Sequence, residues 1–76
     1  MVHAFIMVKT AAGKSEDLLS EIRALERVAS AHIVAGNYDI IAEVHADEMY
    51  DILEAVSSNV QGLDGVTDTK TYIAMD

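Results

Sequence analysis

Gly36-Asn37-Tyr38-Asp39 gathers an amide, a phenol and a carboxylate in one short polar stretch between the apolar runs Ala29 to Ala35 and Ile40 to Ala46. Those types suit a small zwitterion. An ammonium needs acceptors and a carboxylate needs donors, which backbone N–H groups commonly supply. Gly36 permits close backbone approach or positive φ, Asn37 tolerates a left-handed turn, and the Asp39 carboxylate can pair with an ammonium. The same residues also make sense as turn-formers alone, with Asp39 bonded to its own backbone. Tyr38 either walls a ligand or packs at a hairpin tip, and its position does not choose between the two.

His32, Glu43 and His45 form a second set. In the strand pairing expected below they share one sheet face, where they suit a metal ion or a proton switch. No close His-x-His or Cys spacing accompanies them, and cross-strand His and Glu commonly satisfy each other at interfaces, so no metal ligand is assigned. The direction of His3 depends on a pairing that the spacing leaves open. There is no nucleophile with a base at motif spacing, no phosphate-cradling glycine loop and no cofactor fingerprint, so no catalytic residue and no cofactor are expected.

The elements that must position these groups follow from periodicity. Val2 to Lys9 is apolar on both parities, the mark of a central strand covered on both faces. After Ala11-Ala12-Gly13, Ser15 is the expected N-cap, with Glu16 and Asp17 in the first turn where the helix dipole favours negative charge. Leu18, Leu19, Ile22 and Leu25 form the apolar stripe of a helix reaching about Arg27, with Ser20, Glu21, Arg23 and Arg27 toward water.

Val28 to Ala35 and Ile40 to Ala46 then read as a hairpin with Asn37 and Tyr38 central, pairing Ala35 with Ile40 and His32 with Glu43. One face collects Ala29, Ala31, Ile33, Ala35, Ile40, Ala42, Val44 and Ala46 beneath the helices. The other collects Ser30, His32, Val34, Ile41, Glu43 and His45. Asp47 is the expected cap of a second helix carrying Met49, Ile52, Leu53, Val56 and Val60, a stripe for core packing rather than for a partner helix, closed by Gly62 in the left-handed C′ position with Leu63 beyond. Asp64-Gly65 turns into a last strand, Val66 to Met75, rich in β-branched and aromatic residues.

The order βαββαβ is the ferredoxin-like α+β arrangement, a four-stranded antiparallel sheet with two helices on one face. Residues 1–76 make a single domain, about half hydrophobic and without linkers or repeats. Phe5, Met7, Val34 and Ile41 would leave the other face apolar, which predicts a homodimer closing a dimeric α+β barrel. A domain this small, with no cysteine and only five basic residues, also gains stability from oligomerisation. Thirteen acidic residues give a net charge of −8, which repels phosphate backbones and anionic membranes, so neither direct nucleic-acid nor membrane binding is expected. Most of the acids are dispersed as solvated faces, and their surplus also fits a salt-rich cytoplasm such as a halophile's. Met1-Val2-His3-Ala4 has no signal-peptide pattern, which predicts a cytoplasmic protein.

Val34-Ala35-Gly36-Asn37-Tyr38-Asp39-Ile40-Ile41-Ala42-Glu43-Val44 resembles the effector-domain signature of the leucine-responsive regulatory protein/AsnC regulators. Gln61-Gly62-Leu63-Asp64-Gly65-Val66-Thr67-Asp68-Thr69-Lys70-Thr71-Tyr72-Ile73 resembles that domain's final turn and strand. The resemblance implies a RAM (regulation of amino-acid metabolism) domain in stand-alone form, without the family's helix-turn-helix. It implies an amino-acid effector held between dimers by Gly36, Asn37, Tyr38 and Asp39 together with Gln61 and Ser58. It implies a homodimer assembling into a higher ring such as an octamer, and full-length Lrp/AsnC regulators as partners through which transcription is modulated. Two alternatives share the element order. One is a small dimeric α+β barrel enzyme, a cofactor-independent monooxygenase or isomerase, with His32, His45 or Tyr38 in an enclosed cavity. The other is a purely structural oligomerisation module.

Overall fold

The computed structural model describes residues 1–76, apart from the side chain of Ser57. The elements are β1 (Val2–Thr10), α1 (Ser15–Arg23), β2 (Val28–Ile33), β3 (Ile40–Ala46), α2 (Met49–Glu54) continuing into a π-helical segment (Ala55–Val60), and β4 (Val66–Ile73). All strand pairs are antiparallel in the order β2-β3-β1-β4, the expected ferredoxin-like sheet with β1 inside it. Alternation along the strands buries Ala4, Ile6, Val8, Ala31, Ile40, Ala42, Val44 and Ala46 against Leu18, Ile22, Ile52, Ala55, Val56 and Val60 of the helical layer. Alanines at four of these strand positions let the helices approach the sheet closely.

The hairpin differs from expectation in register, and the reason is conformational. Ile33 pairs with Ile40, His32 with Ile41 and Ala31 with Ala42, two residues away from the expected alignment, so β2 ends at Ile33 rather than Ala35. A two-residue turn of the favoured type would need positive φ at both Asn37 and Tyr38, and neither adopts it. A wider loop, Val34 to Asp39, replaces it, closed by Val34 N–H donating to the Asp39 carbonyl at 2.8 Å. Because the shift is by two, the sorting of faces survives. The exceptions are Ala29, exposed at an irregularity between Val28 and Ser30, Ile33, which is 45% exposed at the end of β2, and Val34 and Ala35, which lie in the loop rather than on either face.

Helix boundaries also differ. Ser15 is the first helical residue and Lys14 the cap position, without a side-chain capping bond. The Ser15 hydroxyl lies instead 2.8 Å from that of Thr10. α1 stops at Arg23 rather than Arg27. Arg23 is exposed as expected, and its guanidinium also ties the helix end to the sheet: Nε and Nη2 donate to the Ala31 carbonyl on β2 at 3.1 and 2.8 Å. Glu48, not Asp47, precedes α2 and makes no side-chain cap. Met49 and Leu53 are half exposed while Ile52, Val56 and Val60 are buried, so the stripe is narrower than its spacing predicts. β4 ends at Ile73, although Ala74 N–H still donates to the His3 carbonyl at 2.9 Å.

The second helix widens at its end. Gln61 N–H donates to the Val56 carbonyl, five residues back, at 2.9 Å, the spacing of a π-turn. Gly62 is not left-handed; positive φ occurs at Gly13 and Gly65. Gly62 is required for space instead, since a Cβ there would lie 2.8 Å from the Ser58 carbonyl oxygen. At Gly65 φ is +99° and a Cβ would also meet Leu18 at 3.2 Å. Gly62→Ala and Gly65→Ala should therefore each lower unfolding free energy by roughly 1–3 kcal/mol. Gly36→Ala should be neutral or stabilising by up to about 1 kcal/mol, because Gly36 is open and lacks positive φ. Urea denaturation of the three variants checks the order.

Candidate functional site

The loop Val34 to Asp39 is anchored from beneath by the end of β1. Asp39 N–H donates to the Val8 carbonyl at 2.9 Å. Its carboxylate Oδ2 accepts from Thr10 N–H at 2.9 Å and from the Thr10 hydroxyl at 3.3 Å. Thr10 has a single hydroxyl proton, so when it serves Asp39 the Ser15 hydroxyl donates in turn to Thr10. Lys9 Nζ donates to the Asn37 carbonyl at 2.9 Å and stands 5.9 Å from the Tyr38 ring centroid, the outer reach of a cation–π contact. The Asp39 carboxylate is therefore not bonded to its own backbone: through Oδ2 it holds the loop to the neighbouring strand. Gly36 has nothing within 4 Å of a hypothetical Cβ, and Asn37 is exposed.

Gln61 lies elsewhere on the surface. Its Nε2 donates to the Thr69 hydroxyl at 2.8 Å, and it lines an open cleft of about 230 Å³ with Val66, Thr67, Asp68 and Thr69. That is below the ~300–1,000 Å³ of sites for drug-sized ligands, and so matches a smaller molecule. The amide oxygen of Gln61, the hydroxyls of Thr67 and Thr69 and the carboxylate of Asp68 supply acceptors and donors at close quarters. The π-turn before Gln61 adds an irregularity of the sort often found at functional sites. None of Gly36 to Asp39 lines this cleft, and neither does Ser58, which is exposed. Within one chain the expected site residues thus lie apart: Gly36 to Asp39 in a pinned loop, Gln61 in a cleft and Ser58 in neither.

Thr67, Thr69 and Asp68 carry no expectation from sequence beyond strand formation. The signal is present in hindsight: β4 repeats threonine at 67, 69 and 71 on one face, and Thr69 and Thr71 pair with Val8 and Ile6 of the buried side. Hydroxyls where apolar residues would pack call for partners. Lys9 and Thr10 offered no such signal, because their role depends on a contact 28 or 29 residues away.

His32 does not join Glu43 and His45. β1 brings His3 directly opposite His45, and Glu43 Oε2 lies 2.7 Å from His45 Nε2 and 3.8 Å from His3 Nδ1. His45 lines a surface cleft with Met1, Glu26, Arg27, Ala46 and Asp47, which Tyr38 and His32 do not share. Phe5 and Tyr72, cross-strand partners on the same outer face, are 37% and 53% exposed, so within one chain that face is uncovered.

The sequence profile of the Lrp/AsnC ligand binding domain matches residues 3–76. The chain belongs to that family. It is 30% identical over 61 residues to the leucine-responsive regulatory protein of Haemophilus influenzae, a match covering 80% of this chain and 37% of that protein. The chain thus spans well under half the length of the curated relatives it matches. Among solved structures, FFRP-DM1 superposes with a TM-score of 0.94 at 33% identity, covering 99% of this chain and 100% of that one. TTHA0845 from Thermus thermophilus reaches 0.96 at 28% identity, over 100% and 95%. The Neisseria meningitidis transcriptional regulator NMB0573, in complex with L-Met, shares the fold with a TM-score of 0.87 at 22% identity, over 99% of this chain and 50% of that one. The curated relative is by name a regulatory protein, and NMB0573 is a transcriptional regulator. Among the described residues no helix is long and apolar enough to cross a membrane.

Asp39→Ala should cost roughly 1–2 kcal/mol of stability, since a partly buried charged acceptor of two hydrogen bonds is lost. Asp39→Asn should retain most of it through the amide oxygen, and urea unfolding of the pair separates the outcomes.

Proposed function

We propose that this domain binds a small amino acid and self-associates, and that it modulates transcription through partner regulators of its own family without contacting DNA itself. The cleft beside Gln61, in a chain that belongs to a ligand-binding family, carries the reading. Its Asp68 carboxylate and Gln61 oxygen suit an ammonium, and its Thr69 hydroxyl, which accepts from Gln61 and keeps its own proton, suits a carboxylate. NMB0573, which has the same fold, was solved with an amino acid bound.

The ligand site is proposed to be shared between copies. The loop Gly36-Asn37-Tyr38-Asp39 of one dimer meets Gln61 and Ser58 of another, so that a ring such as an octamer is completed around the effector. The Lys9 and Thr10 contacts support this by holding the loop in one shape before any ligand arrives, which lowers the ordering cost of binding. The exposed Phe5 and Tyr72, with Met7 and Ile41 beside them on the outer sheet face, supply an apolar surface for the homodimer that closes an α+β barrel. The net charge of −8 supports action through a protein partner rather than on DNA, and association with such regulators implies a cytoplasmic location. The effector would act by binding one assembly more tightly than another, shifting the population only by that difference.

Calorimetric titration with each common amino acid, with mass followed by light scattering, tests the reading. At least one should give saturable heat and change the assembly, and Gln61→Ala should weaken it about tenfold, the ~1.4 kcal/mol expected of one or two hydrogen bonds, with the thermal midpoint unchanged. Absence of heat with every amino acid would overturn it.

A further inference from the structure

His3, Glu43 and His45 meet on the uncovered sheet face, and the amino-acid reading makes no use of them. The antiparallel ladder sets His3 opposite His45, and the two-residue strand period puts Glu43 on the same face as His45. One ligand atom from each lies within 4.8 Å of the other two. The Glu43–His45 hydrogen bond at 2.7 Å accounts for that pair, but His3 Nδ1, at 3.8 Å from the same carboxylate oxygen, is beyond hydrogen-bonding distance. Its ring stands 5.4 Å from that of His45. Three potential ligands therefore converge while only two are satisfied.

We propose that His3, Glu43 and His45 bind a divalent transition-metal ion of the zinc class, with the remaining coordination position open to water or to a group from a second copy. Zinc–nitrogen and zinc–oxygen bonds of about 2.0–2.2 Å put tetrahedral ligand atoms about 3.3–3.5 Å apart. The observed 2.7 and 3.8 Å lie on either side of that separation, so side-chain rotation on two strands held by their ladder reaches it. Two imidazoles with one carboxylate favour zinc, nickel or copper over magnesium and calcium, which take mainly oxygen ligands. Within one chain an ion can reach the three side chains, which are 30–38% exposed, and His45 also lines a cleft of about 330 Å³ with Glu26 and Asp47. Arg27 in that wall lies 3.9 Å from Asp51. The acidic balance of the chain raises the local concentration of cations further.

The experiment titrates untagged, chelator-treated protein with zinc chloride by calorimetry in a non-coordinating buffer. Saturable binding of no more than one zinc per chain is expected, with magnesium chloride giving none. His3→Ala and His45→Ala should each weaken zinc binding at least tenfold, while His32→Ala on the same face leaves it unaltered. Histidine side-chain NMR of the wild type adds a readout independent of variant folding: the His3 and His45 resonances should move with zinc and those of His32 should not. No saturable zinc heat, affinity insensitive to both alanine variants, or unmoved His3 and His45 resonances would each overturn the proposal. None of these outcomes depends on whether an amino acid binds beside Gln61.

Discussion

The double pairing of β1 is the constraint on which the rest of the molecule depends. Its backbone is bonded to β3 on one edge and β4 on the other, and its helix-facing residues Ala4, Ile6 and Val8 are fully buried. Each burial of an Ile or Val side chain contributes about 1.5–3 kcal/mol, so the strand cannot slide without exposing the centre of the core. A one-residue slip would carry Ile6 to the outer face and Phe5 inward. With β1 held in register, three distant places are set at once: Lys9 and Thr10 under the loop, Thr69 beneath Gln61, and His3 opposite His45.

That arrangement gives the loop Val34 to Asp39 its character. A polar loop would normally sample many shapes, yet the one here is tied down by the Asp39 carboxylate, the Asp39 N–H and the Lys9 ammonium. The carboxylate most inviting as a ligand contact is therefore already engaged. Polar groups that can still meet a second molecule are the exposed Gly36 and Asn37 at the loop tip, the Gln61 amide oxygen and the proton of the Thr69 hydroxyl, whereas the Thr67 hydroxyl donates to the Lys9 carbonyl. The π-turn and the side-chain-free Gly62 let the chain leave the second helix close to Ser58 and pass to β4 beside Gln61. Local irregularity and candidate site coincide there.

Much of the fold was legible because the apolar pattern repeats with the periods of strand and helix. Ala31, Ile40, Ala42 and Val44 were assigned to the buried face correctly despite a hairpin register wrong by two, since a two-residue shift preserves parity. Ends were less legible. Arg23 is a water-facing helix residue that also has the Ala31 carbonyl within its reach, and Gly62 looks like a left-handed cap until the Ser58 carbonyl is found beside it. At Arg23 a contact from the next strand adds to the local rule, and at Gly62 the crowding of the helix's own last turn replaces it. The site divides in the same way: Gln61 and the loop stood out by residue type, whereas the partners that define them, Thr69 and Thr10, look from their own positions like ordinary strand threonines.

By itself the sequence determined the element order, the faces of each strand, the acidic balance and the family, because these reside in residue types and short-range spacing. Only the tertiary structure decided that Asp39 serves Thr10, that Gln61 opens a cleft with Thr67, Asp68 and Thr69, and that His3 rather than His32 completes the cluster with Glu43 and His45. Those outcomes depend on which strand lies beside which and in what register. That is set by the burial of β1 beneath the helical layer between β3 and β4, a sum over contacts distant in the chain that no local spacing encodes.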